Sequence, residues 1–243
     1  MDATFLFIDF IYVVADLDIT EAGFSLMASN PFLRYTATLY ISNDFCLNYS
    51  LMDEPHSASI SLPSLRDAIT VDGAAQFDTV AINLEDLDQL TLTFETLTPS
   101  GHEPYLRQNL RLYSPSERED FGIPITTKYF IVKCDWFRHI LSELPVFNDD
   151  VVCVTPMASQ VIFSVVSKEI ILTEEDEQCI IMGYEECVDT QFQIVLQPRM
   201  FFHNLSFETS AHVWFLRTIN SGSAMLFPVV SSYVQYFIRF PPT

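Results

Sequence analysis

The sequence predicts a β-rich chain made of two similar halves, with a few short helices. Of its 243 residues, 49% are apolar and 14% are aromatic, while glycine occurs only 6 times. Phe and Tyr favour strands, and the apolar fraction is too high for a disordered chain. This length allows one large or two medium domains with apolar cores.

Alternation of apolar and polar residues marks the predicted strands in chain order. Neighbouring side chains of a strand point to opposite faces, so this pattern predicts strands with one buried face. The runs cover residues 24–27, 37–41, 57–62, 91–95, 106–112, 129–132, 151–154, 161–166, 191–196, 212–216 and 233–238.

Helical signals are confined to four short segments: 2–10, 64–69, 135–144 and 198–205. Asp2 can cap the first. The second follows Pro63 and the fourth begins with Pro198, and proline suits the first turn of a helix. The third has Asp135 at a predicted cap position and apolar residues at positions i, i+3, i+4 and i+7.

The helices belong to an internal repeat. Residues 60–70 resemble 194–206, each followed by two strands, and residues 4–28 resemble 135–167. Such self-similarity indicates duplication of one structural unit. Between the halves, the polar, proline-containing segment 114–120 predicts a surface linker.

The charge balance restricts the partners of the protein. The chain has 12 Lys plus Arg against 32 Asp plus Glu, which gives a formal net charge of −20. We expect repulsion from nucleic acid and anionic membranes unless the few cations lie on one surface. The N-terminal segment is apolar but lacks a cationic start, and the five cysteines form no CxxC pair. These features predict a soluble intracellular protein with buried free thiols.

No motif predicts catalysis, a metal or a cofactor. The histidines lack zinc-site spacing, and the sequence contains no glycine-rich phosphate loop and no GxSxG motif. The acidic run 174–177 lacks the alternating ligands of a calcium loop, so we interpret it as a solvated loop.

The residues after the linker carry a family resemblance. Phe121-Gly122-Ile123-Pro124, the apolar run 129–132 and the helix 135–144 resemble the middle of proliferating cell nuclear antigen, the eukaryotic sliding clamp. In that family a connector ending in Leu-Gly-Ile-Pro joins two similar domains. Residues 17–26 (LDITEAGFSL) are similar to the family's Trp-Asp-Ile-Ser-x-x-Gly-Val-x-Leu stretch. The resemblance also covers 60–69, 90–94, 149–167 and 234–238.

The resemblance implies an α+β DNA-clamp fold. Each of two similar domains would have antiparallel sheets outside and two short helices inside, and subunits would form a ring. It divides the chain into domain 1 (1–111), a connector loop (112–127) and domain 2 (128–243). Met1 falls inside the first helix in this alignment. The strand that opens domain 1 in the family would therefore have no counterpart in this sequence.

The implied function is that of a DNA sliding clamp or processivity factor, which is not an enzyme and needs no cofactor. Its expected partners are two further copies of itself, DNA polymerase, a clamp loader and other clients with short aromatic motifs. It would enclose duplex DNA without sequence specificity and without membrane contact. The family also implies a nuclear location.

The resemblance assigns three sets of residues. A partner-peptide pocket under the connector would be lined by Phe121, Ile123, Pro124, Met225, Leu226, Phe237 and Ile238. A DNA-facing surface would carry Arg66, Arg111, Arg138, His139 and Arg199. A subunit interface would join the strands 105–113 and 168–172 through Tyr105, Arg107, Asn109, Arg111, Tyr113, Glu169, Ile170, Ile171 and Leu172.

Departures from the family keep two alternatives open. Asp67 and Thr70 stand where lysines are usual, and Arg239 follows the aromatic-aliphatic pair where the family has Ala-Pro. The chain is therefore either a clamp, a divergent subunit of a hetero-oligomeric, checkpoint-like clamp, or an interaction module that no longer encircles DNA.

Overall fold

The computed structural model describes residues 14–30, 35–50, 55–70, 77–86, 88–98, 101–115, 124–147, 150–184, 191–209, 211–219, 222–230 and 233–241. The predicted helix over 2–10 and the pocket residues Phe121 and Ile123 lie outside these ranges. No described helix is long and apolar enough to span a membrane.

The described elements alternate long strand runs with three short helices. In the first half they are β1 (Val14–Thr20), β2 (Gly23–Asn30), β3 (Tyr35–Ser42), a 3-10 turn (Asn43–Phe45), β4 (His56–Ser61), α1 (Leu62–Ile69), β5 (Thr79–Asp86), β6 (Gln89–Thr98) and β7 (Gly101–Tyr113). In the second half they are β8 (Pro124–Lys133), α2 (Cys134–Glu143), β9 (Val152–Pro156), β10 (Gln160–Val165), β11 (Lys168–Thr173), β12 (Cys179–Met182), β13 (Phe192–Ile194), α3 (Arg199–Glu208), β14 (His212–Thr218), β15 (Ser223–Val230) and β16 (Val234–Phe240).

Local chemistry explains how two of the helices begin. At α1, the Ser61 hydroxyl accepts a hydrogen bond from the Ser64 N–H at 3.3 Å, and Pro63 lies in the first turn. At α2 the predicted cap is wrong, because Lys133 occupies the cap position and Asp135 lies in the first turn. The Asp135 carboxylate still favours this end through the helix dipole.

The strands form two antiparallel sheets, which confirm the duplicated layout. One sheet has twelve strands in the order β12-β8-β14-β15-β16-β3-β2-β1-β4-β7-β6-β5, and the other has four in the order β11-β10-β9-β13. The order β3-β2-β1-β4 of the first half recurs as β11-β10-β9-β13 in the second. The meander β5-β6-β7 likewise recurs as β14-β15-β16.

Strands occupy both ends of the predicted connector, 112–127. Strand β7 continues through Tyr113 and β8 begins at Pro124, and residues 116–123 between them lie outside the described residues. The division of the chain into two domains at this connector stays a prediction.

The two halves are joined by the pairing of β16 with β3. Phe237 lies opposite Thr38 in this antiparallel register, and Gln235 lies opposite Tyr40. Beyond the last pair, the Ser42 N–H donates to the Tyr233 carbonyl at 2.8 Å. This junction makes the twelve-stranded sheet continuous across the chain.

Aromatic packing reinforces the junction beneath the sheet. The ring of Tyr35, from β3, lies 6.2 Å from Phe201 and 5.9 Å from Phe202 of α3, and 6.0 Å from Phe240 of β16. All four side chains are buried. Tyr35 is thus a residue of the first half whose ring lies in the core of the second half.

We predict that Phe202→Ala lowers the free energy of unfolding by about 3–5 kcal/mol, because it leaves a cavity in this aromatic core. Phe207→Ala, on the same helix, is the matched control, because that side chain is 61% exposed. We expect the control to lose less than about 1 kcal/mol. Denaturant unfolding followed by circular dichroism measures both, and equal losses would contradict the assigned core.

Candidate functional site

One backbone edge of β7 is open along most of its length. This strand pairs with β6 from Gly101 to Arg111, but with β4 only at Leu112 and Tyr113. No other described strand pairs with β7, so the open edge presents N–H and C=O groups to a further strand. Four predicted interface residues on β7 have exposed side chains: Arg107, Asn109, Arg111 and Tyr113. The backbone of Tyr105 lies in the same strand.

The second predicted interface strand, β11, is also an edge. Among the described strands it pairs only with β10. Glu169 and Ile171 are exposed, whereas Ile170 and Leu172 are buried. The assignment of Ile170 and Leu172 to the interface is therefore wrong for their side chains, because these point into the core. Only their backbone groups are available to another strand.

The duplication relates these two open edges to the junction inside the chain. Strand β7 is the last strand of the meander β5-β6-β7, as β16 is the last strand of β14-β15-β16. Strand β11 begins the order β11-β10-β9-β13, as β3 begins the order β3-β2-β1-β4. Within the chain, β16 pairs with β3. The equivalent strands β7 and β11 therefore have matching geometry for the same kind of pairing.

A continuous apolar row crosses the face of the large sheet that is turned away from the core, here called the outer face. The strand registers align Ile131, Trp214, Leu226 and Phe237, one residue from each of β8, β14, β15 and β16. All four are partly exposed. Trp214 also stacks on Tyr129, with ring centres 5.2 Å apart. The predicted pocket residues Leu226 and Phe237 thus lie on a larger apolar surface.

Two other residues of the predicted partner-peptide pocket face the core side of the sheet. Met225 and Ile238 lie opposite each other in β15 and β16, and both are 0% exposed. The prediction that they line the pocket is wrong for their side chains, because strand alternation turns them into the core. Pro124 begins β8, opposite Thr218, and only its backbone is described.

Arg239 lies on the outer face beside Phe237. Its guanidinium carbon is 4.6 Å from the centre of the Phe237 ring. The Nε atom is buried and has no hydrogen-bond partner among the described residues. Burial lowers the pKa of Arg239, a sign that the cation is poorly solvated.

Arg138, a predicted DNA-facing residue, is engaged between α2 and α3. One Nη donates to the carbonyl of Ser206 at 3.0 Å, and the other pairs with Asp135. The guanidinium also lies over the ring of Phe207, at 4.4 Å from its centre. The ion pair with Asp135 offsets the positive charge that would otherwise attract a DNA phosphate.

Arg199 is likewise a structural cation. Its Nη2 donates to the carbonyl of Leu144, just after α2, and to that of Val146 at 3.1 Å. Helix ends leave carbonyls without partners inside the helix, and Arg199 satisfies one of them from α3. This long-range role gave no signal in the sequence, where the family resemblance marked Arg199 only as a DNA-facing residue.

The remaining predicted DNA-facing residues lie on different elements. Arg66 of α1 is 43% exposed and lies 3.5 Å from Asp67, while His139 of α2 is exposed. Arg111 belongs to β7 and not to a helix, and its guanidinium lies 5.6 Å from the centre of the Tyr113 ring. The orientation of these side chains toward DNA therefore stays a prediction.

The exposed side of α3 is unexpectedly apolar. Met200 is 57% exposed and Phe207 is 61% exposed, with His203 edge-on to Phe207 at 4.9 Å. The sequence analysis did not single out this surface, because it used only the proline start of this segment and Arg199. Among the described residues, no group of three or more His, Cys, Asp or Glu side chains could hold a metal ion.

Comparison with known proteins bears on the fold. No protein-family model matches the chain, and no curated protein matches its sequence. Its structure is similar to the PCNA2–PCNA3 complex of Sulfolobus tokodaii, with a TM-score of 0.67, 11% identity and coverage of 98% of this chain and 95% of that chain. The chain therefore has a PCNA-like clamp fold.

We predict that Arg199→Ala lowers the free energy of unfolding by about 1–3 kcal/mol, because it removes a charged donor from the carbonyls of Leu144 and Val146. Arg66→Ala is the control. Its exposed ion pair with Asp67 contributes little, so we expect a change within about 0.5 kcal/mol. Denaturant unfolding of both variants provides the comparison. A neutral Arg199→Ala would show that this bridge does not stabilise the helix pair.

Proposed function

We propose that this chain is a subunit of a DNA sliding clamp, which closes with two further copies into a ring and holds replication and repair enzymes on duplex DNA. The observation that carries the proposal is the clamp fold with open edges on β7 and β11.

Ring closure follows from repeating the internal junction between copies. Strand β7 of one copy would pair with β11 of the next, as β16 pairs with β3 inside each copy. Such a head-to-tail contact forms a closed ring when its rotation returns to the first subunit. The charges are complementary, because Arg107 and Arg111 are exposed on β7 and Glu169 is exposed on β11.

Enclosure suits a chain with so few available cations. With a net charge of −20, and with Arg138 and Arg199 bonded within the protein, direct attraction to phosphates is weak. A closed ring keeps DNA by topology and does not depend on tight contact. Arg66 and His139 would supply the remaining polar contacts, without reading base sequence.

The outer face supplies a surface for clients. Leu226 and Phe237 form part of a partly exposed apolar row, which the strand registers continue through Trp214 to Ile131 of β8. An apolar surface can bind short helical segments through a few aromatic or aliphatic anchors. We assign to this surface the binding of aromatic motifs from a DNA polymerase, a clamp loader and other clients.

The exposed apolar side of α3 favours the two alternatives to a homotrimeric clamp. Met200 and Phe207 present apolar surface on α3, one of the helices that would line the ring. The structural neighbour is itself a complex of two different chains, PCNA2 and PCNA3. A subunit of a hetero-oligomeric clamp, or a protein-only module, could place these residues against a protein partner instead of DNA.

A threading experiment tests enclosure. A linear duplex is attached to beads at one end, and its free end is capped with a bulky protein either after or before the clamp is added. Both samples are then washed in about 1 M salt, where electrostatic contacts are screened beyond about 3 Å. We predict retention only when the cap follows the clamp, and release when a restriction enzyme cuts the DNA.

The order of capping is the control for ordinary binding. Equal retention in both orders would indicate contact with the DNA surface and contradict enclosure. Loss of the protein from both samples would favour the hetero-oligomer or the protein-only module over the homotrimeric clamp.

A further inference from the structure

The outer face carries a cation whose surroundings do not satisfy it. The Nε of Arg239 is buried without a hydrogen-bond partner, and no described carboxylate forms an ion pair with this residue. The side chain as a whole is partly exposed, so an anion that approaches over the outer face can meet the other donors of the guanidinium. Arg239 therefore offers a cation to a ligand on this face.

The neighbours of Arg239 determine which anion fits. Its guanidinium lies 4.6 Å from the centre of the Phe237 ring, and Phe237 is followed across the sheet by Leu226 and Trp214. In the other direction, Thr36 and Thr38 of β3 are uncharged. A ligand here meets apolar surface over several strands, with Arg239 at its border. Arg217, on β14 of the same sheet, is a second arginine whose Nε has no hydrogen-bond partner among the described residues.

We propose that this surface selects client peptides that carry an acidic residue beside their apolar anchors, with the carboxylate bound by Arg239. The inference rests on the client-binding surface of the proposed function and adds a preference that is specific to this chain. A carboxylate matches the planar donor fork of arginine. A small inorganic anion would leave the adjacent apolar row uncovered.

The proposal can be tested with paired synthetic peptides. Each fluorescein-labelled peptide carries one Leu and two adjacent Phe residues in an otherwise uncharged sequence, with a single Glu placed at successive flanking positions. An identical peptide with Gln at that position is its twin. Fluorescence anisotropy with the full-length protein gives the dissociation constants.

We expect at least one Glu peptide to bind about tenfold more tightly than its Gln twin. In Arg239→Gln, the two peptides should bind equally, while Arg239→Lys should keep part of the preference as a point charge. Lys133→Gln is the matched control and should keep the full preference. Lys133 lies on the same face of the same sheet, two residues from Ile131, and is 3.7 Å from Glu177.

The outcomes separate this inference from the proposed function. Equal binding of every Glu and Gln pair by the wild-type protein would overturn the role of Arg239 and leave the client surface in place. Absence of binding by all peptides would overturn both the client surface and the preference, while threading on DNA would still report on the ring. Thermal unfolding of Arg239→Gln and Arg239→Lys shows whether both variants are folded.

Discussion

The pairing of β16 with β3 is the interaction on which the rest of the structure depends. It turns two half-chains into one continuous sheet and fixes which residues reach the outer face, because its register sets Phe237 opposite Thr38. It also brings Tyr35 into the core beneath α3. The same pairing supplies the pattern for the proposed ring, since β7 and β11 have equivalent places in the duplicated layout and each has an edge that is largely without a partner among the described strands.

Much of the fold could be predicted because one face of most strands is buried. Alternating runs such as 212–216 are strands in the structure, and the prolines at 63 and 198 lie at helix starts. The pocket was harder to predict. A strand has a side-chain period of two, so the face on which Met225 or Leu226 lies depends on a register that sequence spacing does not determine.

The arginines show a second limit of sequence reasoning. Arg138 and Arg199 stand on helices, as expected for DNA-facing residues, yet each uses its guanidinium to hold α2 and α3 together. Such roles depend on contacts between residues far apart in the chain. In this acidic protein two of the scarce cations, Arg138 and Arg199, are bonded within the structure, whereas Arg239 lies on the outer face, where we propose that it meets a partner.

The central claim, that open edges on β7 and β11 close the chain into a ring of three, is tested most directly by absolute mass in solution. Light scattering behind a sizing column, over a range of concentrations, should give three times the 27.8 kDa chain mass. Arg111→Glu should shift the protein toward the monomer, because it replaces an exposed cation of β7 with a carboxylate on the edge that would meet β11, where Glu169 is exposed. A wild-type protein that is monomeric at every concentration would contradict the account.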